Sequence, residues 1–119
     1  MKTKLRALMS AALVVTGASA FAHARVLNSN PATGATLSAP PTELRIQYSE
    51  PVEAAASAVK LIGPGDVELV AEKVIADKDD AKSLVLGLPK LGAGDYRAEW
   101  STVGRDGHRT KGEIRFTVK

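Results

Sequence analysis

The chain has two histidines, His23 and His108, and both stand where a metal could be bound. His108 closes the run Arg105-Asp106-Gly107-His108. Positions i and i+2 of an extended segment face one side, so a carboxylate and an imidazole at that spacing can aim at one ion. A D-x-H beside a glycine is also an ordinary surface turn, and the pair alone decides nothing. His23 follows Ala20-Phe21-Ala22, with small residues at the two positions that a signal peptidase reads. Cleavage after Ala22 would make His23 the first residue. Its free α-amine and its imidazole Nδ1 could then close a chelate ring on one metal, which no internal histidine can do. An α-amine ionises at about 7.7–8, so losing that proton to a metal costs little near neutrality.

The case for cleavage rests on the whole leading segment. Lys2, Lys4 and Arg6 precede an uncharged stretch rich in Ala, Leu and Val over residues 7–20. With the A-x-A ending, that is the order of a secretory signal. The apolar run is too short to cross about 30 Å of hydrocarbon, which takes roughly 20 apolar residues. The expectation is a cleaved signal peptide over residues 1–22 and one small exported domain over residues 23–119, soluble and not itself membrane-embedded. The full chain carries 16 Lys and Arg against 13 Asp and Glu. Three of those bases and none of the acids lie before His23, so the mature balance is 13 against 13. The basic pI leaves with the signal. The remaining charges are interspersed, which gives no ground for nucleic-acid binding. The chain has no cysteine, which excludes disulfides and thiolate ligands despite the oxidising destination.

The elements that must position these residues read as short strands. Residues 44–48, 96–100 and 114–118 alternate apolar and polar, as half-buried strands do. Residues 58–62 run into the turn Gly63-Pro64-Gly65-Asp66, and residues 83–88 end at Gly87 and Pro89. Residues 25–28 and 68–71 are weaker strand candidates. Residues 54–58 are Ala-rich but long enough for only one helical turn. Roughly seven strands with Gly/Pro turns predict an all-β antiparallel sandwich or barrel. Tyr96, just past a Gly-rich corner, is either a tyrosine corner or a half-buried strand tyrosine. Trp100 shares a strand face with Tyr96 and Ala98, which predicts a core role.

Over essentially its whole mature length the sequence resembles the CopC family of periplasmic copper-resistance proteins. The matching stretches are His23-Ala24-Arg25-Val26-Leu27 with Asn30-Pro31-Ala32, LRIQYSE over residues 44–50, and LGAGDYRAEW over residues 91–100. Residues 101–118 continue the match with D-G-H and the closing GEIRFTV. The resemblance implies a Greek-key β-sandwich of the cupredoxin-like or immunoglobulin-like kind. It implies one Cu(II) per mature chain in a site like a histidine brace: terminal amine and imidazole, a carboxylate and a second imidazole. By position those ligands fall on His23, Asp106 and His108. A nearby glutamate of the family matches Glu50, either an outer-sphere group or a solvated carboxylate at a strand end. An inner-membrane CopD-type partner is implied as well. Some relatives add a Met-rich Cu(I) segment; here the methionines are Met1 and Met9, both within the signal. The nitrogen and oxygen donors that remain suit Cu(II).

That makes a non-enzymatic periplasmic protein, sequestering or delivering Cu(II) for copper resistance, the leading expectation. One rival is a copper monooxygenase sharing the histidine brace. Against it stand the few mature aromatics (Tyr48, Tyr96, Trp100, Phe116) and a carboxylate at a position oxygen chemistry needs open. The other rival is a metal-free immunoglobulin-like interaction module. Copper titration separates the module from both metal readings, and oxygen consumption with a reductant separates binding from catalysis.

Overall fold

The computed structural model describes residues 23–119, and the segment read as a signal peptide lies outside them. Among the described residues, nine strands form two facing sheets. They are β1 (Val26–Asn30), β2 (Ala35–Leu37), β3 (Glu43–Tyr48), β4 (Ala58–Gly63), β5 (Val67–Leu69), β6 (Ile75–Asp77), β7 (Asp80–Gly87), β8 (Gly94–Val103) and β9 (Arg109–Val118). One sheet has the order β1-β3-β7-β6 and the other β2-β9-β8-β4-β5. The expected β-sandwich is therefore present, with two strands more than the roughly seven expected. Both additions, β2 and β6, are three-residue edge strands. Pairing is antiparallel except between β2 and β9, which run parallel. The Ala-rich stretch forms a single 3-10 turn, Ala54–Ala56.

Alternation builds the core. Leu44, Ile46 and Tyr48 point inward from β3, Tyr96, Ala98, Trp100 and Thr102 from β8, and Ile114, Phe116 and Val118 from β9, all buried. Each large apolar side chain so buried contributes roughly 1.5–3 kcal/mol. Trp100 meets Tyr48 edge to face, with ring centroids 5.2 Å apart, so its core role holds. Tyr96 is a tyrosine corner: its hydroxyl donates to the carbonyl of Gly92 at 2.7 Å, and its ring stacks on Phe116.

Three chain segments meet at one end of the sandwich. β1 begins opposite the end of β3, with Val26 paired to Tyr48. β8 and β9 form a hairpin paired from Gly94–Val118 to Val103–Arg109, and its connection emerges at that same end. An isolated bridge between Val52 and Gly104 ties the chain after β3 to that connection. Residues 23–25, residues 49–50 and the loop 104–108 are thereby neighbours.

Candidate metal centre

The loop between β8 and β9 is built for its shape. Gly107 has φ +78°, a left-handed conformation that costs glycine little. The Gly107 N–H donates to the carbonyl of Gly104 at 3.1 Å, and the Gly104 N–H donates to that of His108 at 3.3 Å. Asp106 Oδ1 accepts the backbone N–H of His108 at 3.0 Å, the Asx turn that aspartate makes two residues ahead. The expectation that Asp106 and His108 face one side holds, but its reason is corrected. They lie in a turn and not in an extended segment, and the turn's hydrogen bonds bring them together.

His23, Asp106 and His108 converge. Asp106 Oδ2 lies 2.9 Å from His108 Nδ1 and 3.5 Å from His23 Nδ1, and the two imidazole centroids are 5.1 Å apart. The His108 amide and imidazole hold the Asp106 carboxyl below the usual carboxylate range, so it is an anion at neutral pH. A carboxylate can only accept, so His108 Nδ1 donates in that contact, which leaves Nε2 as the ring nitrogen turned to other partners. One donor atom from each residue lies within 4.8 Å of the others. Donors about 2.0–2.1 Å from one ion sit at most roughly 4.1 Å apart, so small side-chain movements make the set fit a metal. Its two imidazoles and one carboxylate are borderline-to-hard donors with no sulfur among them. The cluster is open to solvent: the side chains are 40%, 24% and 68% exposed for His23, Asp106 and His108. Grooves of about 710 Å³ over β4, β8 and β9, and about 640 Å³ between β1 and β9, are lined by other residues.

Glu50 stands outside this cluster. Its Oε1 accepts the backbone N–H of Arg105 at 3.2 Å. It also lies so close over Gly104 that an added Cβ there would collide with it. Glu50 therefore props the loop that presents Asp106 and His108. Two residues absent from the sequence reading bind the other side of the cluster. Ser49 Oγ accepts the N–H of Arg25 at 3.0 Å and donates to the carbonyl of His23 at 3.4 Å. Thr110 Oγ1 donates to the carbonyl of Ala24 at 3.1 Å. Their only sequence signal is adjacency, Ser49 to Glu50 and Thr110 two places past His108.

Comparison with known proteins agrees with this architecture. Residues 26–119 match the CopC domain family. Copper resistance protein C of Xanthomonas campestris pv. juglandis is 38% identical over 109 residues, covering 86% of this chain and 84% of that one. Copper transport protein CutJ of Bacillus subtilis is 32% identical over 107 residues, 89% of this chain but only 20% of that one. The crystal structure of PcoC, a methionine-rich copper resistance protein from Escherichia coli, superposes with a TM-score of 0.72 at 32% identity. It covers 82% of this chain and all of that one. The match spans both sheets and the hairpin that carries the cluster, and on it the chain belongs to the CopC family.

Proposed function

We propose that the chain is an exported, periplasmic Cu(II)-binding protein that sequesters or delivers copper without turnover. One Cu(II) per mature chain would be held by His23, through its amine and imidazole, with Asp106 and His108. The observation that carries this reading is the convergence of the two histidines and one carboxylate at an exposed end of the sandwich. The donor types favour Cu(II) over Cu(I), because both methionines precede His23 and there is no cysteine. Copper also heads the divalent affinity order for nitrogen and oxygen sites. The names of the relatives, copper resistance and copper transport proteins, support a binding role. An open, ion-sized site suits loading and release more than it suits enclosing a substrate.

A CopD-type inner-membrane partner belongs to the same reading. Its support is the relative in which a domain like this one makes up a fifth of a longer copper transport protein. The test is a Cu(II) titration of the exported protein, its N-terminus checked by intact mass, followed by electron paramagnetic resonance at one equivalent. A start at His23, unit stoichiometry and a tetragonal spectrum with nitrogen couplings are expected. A different N-terminus, or no binding, would overturn the reading. Oxygen consumption with a reductant should stay at the level of free copper or below it.

A further inference from the structure

We propose that Ser49 and Thr110 are positioning residues of the metal centre, their hydroxyls fixing the backbone of residues 23–25 so that His23 is held against the Asp106–His108 loop. The inference rests on the Cu(II) reading above. Its basis is a problem that every site built on a chain end must solve. Terminal residues fray unless something ties them down. A ligand residue that is in place only part of the time weakens apparent affinity by that fraction.

Regular pairing does not solve it here. β1 starts at Val26, and its register with β3 shifts between Val26 and Asn28. Residues 23–25 precede the strand. One main-chain bond and two side-chain hydroxyls hold this segment instead. Ser49 Oγ spans the Arg25 N–H and the His23 carbonyl, while the Ser49 N–H donates to the Arg25 carbonyl at 2.8 Å. Thr110 Oγ1 takes the remaining carbonyl, that of Ala24. Ala24 itself is buried in the core, 3% exposed. Each backbone group from the His23 carbonyl to the Arg25 carbonyl, the Ala24 amide apart, thus has a named partner.

The two anchors also share their supports with the loop. Ser49 follows β3 in one sheet and sits beside Glu50, which holds the Arg105 amide. Thr110 belongs to β9 in the other sheet and lies two residues past His108. Both halves of the centre are therefore referenced to the same two points. These hydrogen bonds use backbone groups that cleavage after Ala22 leaves intact.

The test uses the exported protein, N-terminus verified, as wild type and as Ser49→Ala, Thr110→Val, the double variant and Thr110→Ser. Cu(II) affinity is measured by chelator competition, the copper spectrum at one equivalent, and melting without metal. Ser49→Ala and Thr110→Val should each weaken binding roughly ten- to a hundredfold, the range for residues that orient ligands. Their spectra should broaden as the His23 donors become heterogeneous. Thr110→Ser keeps the donor and should restore both readouts. Wild-type affinity and spectrum in the double variant would overturn the proposal. So would a Thr110→Ser protein as weak as Thr110→Val, or affinity that falls only in step with melting while the spectrum stays unchanged. If the wild type binds no Cu(II), the functional reading fails instead, and amide exchange in metal-free Thr110→Val decides the clamp. Faster exchange at Arg25 supports it, and unchanged exchange overturns it.

Discussion

Asp106 uses its two oxygens for different tasks: Oδ1 closes the turn on the His108 amide, and Oδ2 lies between the imidazoles. Substitution can separate them. Asp106→Asn keeps an acceptor for the turn, since asparagine makes the same turn, but removes the anion. Asp106→Ala removes both. In a copper competition assay both variants should bind more weakly than wild type. In metal-free protein only the alanine variant should show faster exchange at the His108 amide. Equal exchange in the two would mean that Gly107 alone shapes the loop. Tyr48 presents the opposite situation, a polar atom with nothing to do. Its hydroxyl is fully buried and lacks a hydrogen-bond partner among the described residues. A buried unsatisfied group costs about 1–3 kcal/mol, so Tyr48→Phe should range from neutral to about 1 kcal/mol more stable. Burial also pushes the Tyr48 phenol well above its usual range. An unfolded phenol ionises near pH 10. As pH rises past that value the unfolded chain gives up a proton that the folded chain retains, so stability falls. Denaturant unfolding between pH 8 and 11 should show a smaller alkaline loss for Tyr48→Phe than for wild type.

The β8–β9 hairpin carries the candidate centre at one end, and across its strands the largest residue faces the smallest. Trp100 sits opposite Gly112, and a Cβ on Gly112 would come within 2.7 Å of the indole. Gly112→Ala must shift the ring or the strand, an overpacking cost of about 1–3 kcal/mol. Thermal melting should fall accordingly, and near-ultraviolet dichroism of the chain's single tryptophan should change; an unaltered signal would show that the ring never covered the glycine. Elements of this kind differ in how far the sequence disclosed them. β3, β8 and β9 are long enough for alternation to fix which residues face inward, and Tyr48, Trp100 and Phe116 are where that pattern puts them. β2 and β6 hold three residues each, too few for any period to register, and their pairing depends on the strand beside them. The same limit applies at the candidate centre. Residue types singled out His23, Asp106 and His108 because imidazoles are scarce in this chain. Ser49 and Thr110 bond to backbone groups 24 and 86 residues away, contacts that no local pattern encodes. The role of Glu50 stayed open for the same reason: the amide it accepts from belongs to Arg105, 55 residues on.

At the scale of the whole molecule, the candidate centre joins the first described residue to the loop of the last hairpin, so a bound metal would tether two segments far apart in sequence. A ligand that binds only the folded state stabilises it by RT ln(1 + [L]/Kd), about 2.7 kcal/mol at a hundredfold excess over Kd. A domain of 60–100 residues gains roughly 4–8 °C per kcal/mol, so Cu(II) at that excess should raise the melting temperature by roughly 10–20 °C. The gain should shrink on acidification, because protons compete for the amine and both imidazoles. Adding one residue before His23 tests the terminus itself. All side chains survive, and an exposed residue at a chain end is tolerated by the fold; the clamp on residues 23–25 uses groups the addition leaves in place. The α-amine, however, becomes an amide nitrogen, which is not a simple neutral donor, and the chelate ring is lost. The extended protein should melt like the processed one without metal and gain far less from Cu(II). Its affinity should drop at least as much as that of His108→Ala, with one nitrogen fewer in the copper spectrum. A precursor retaining residues 1–22 should behave in the same way, which would confine copper loading to the compartment where cleavage occurs. Should the extended protein gain as much from Cu(II) as the processed one, the metal is held by side chains alone and the amine has no part in the centre.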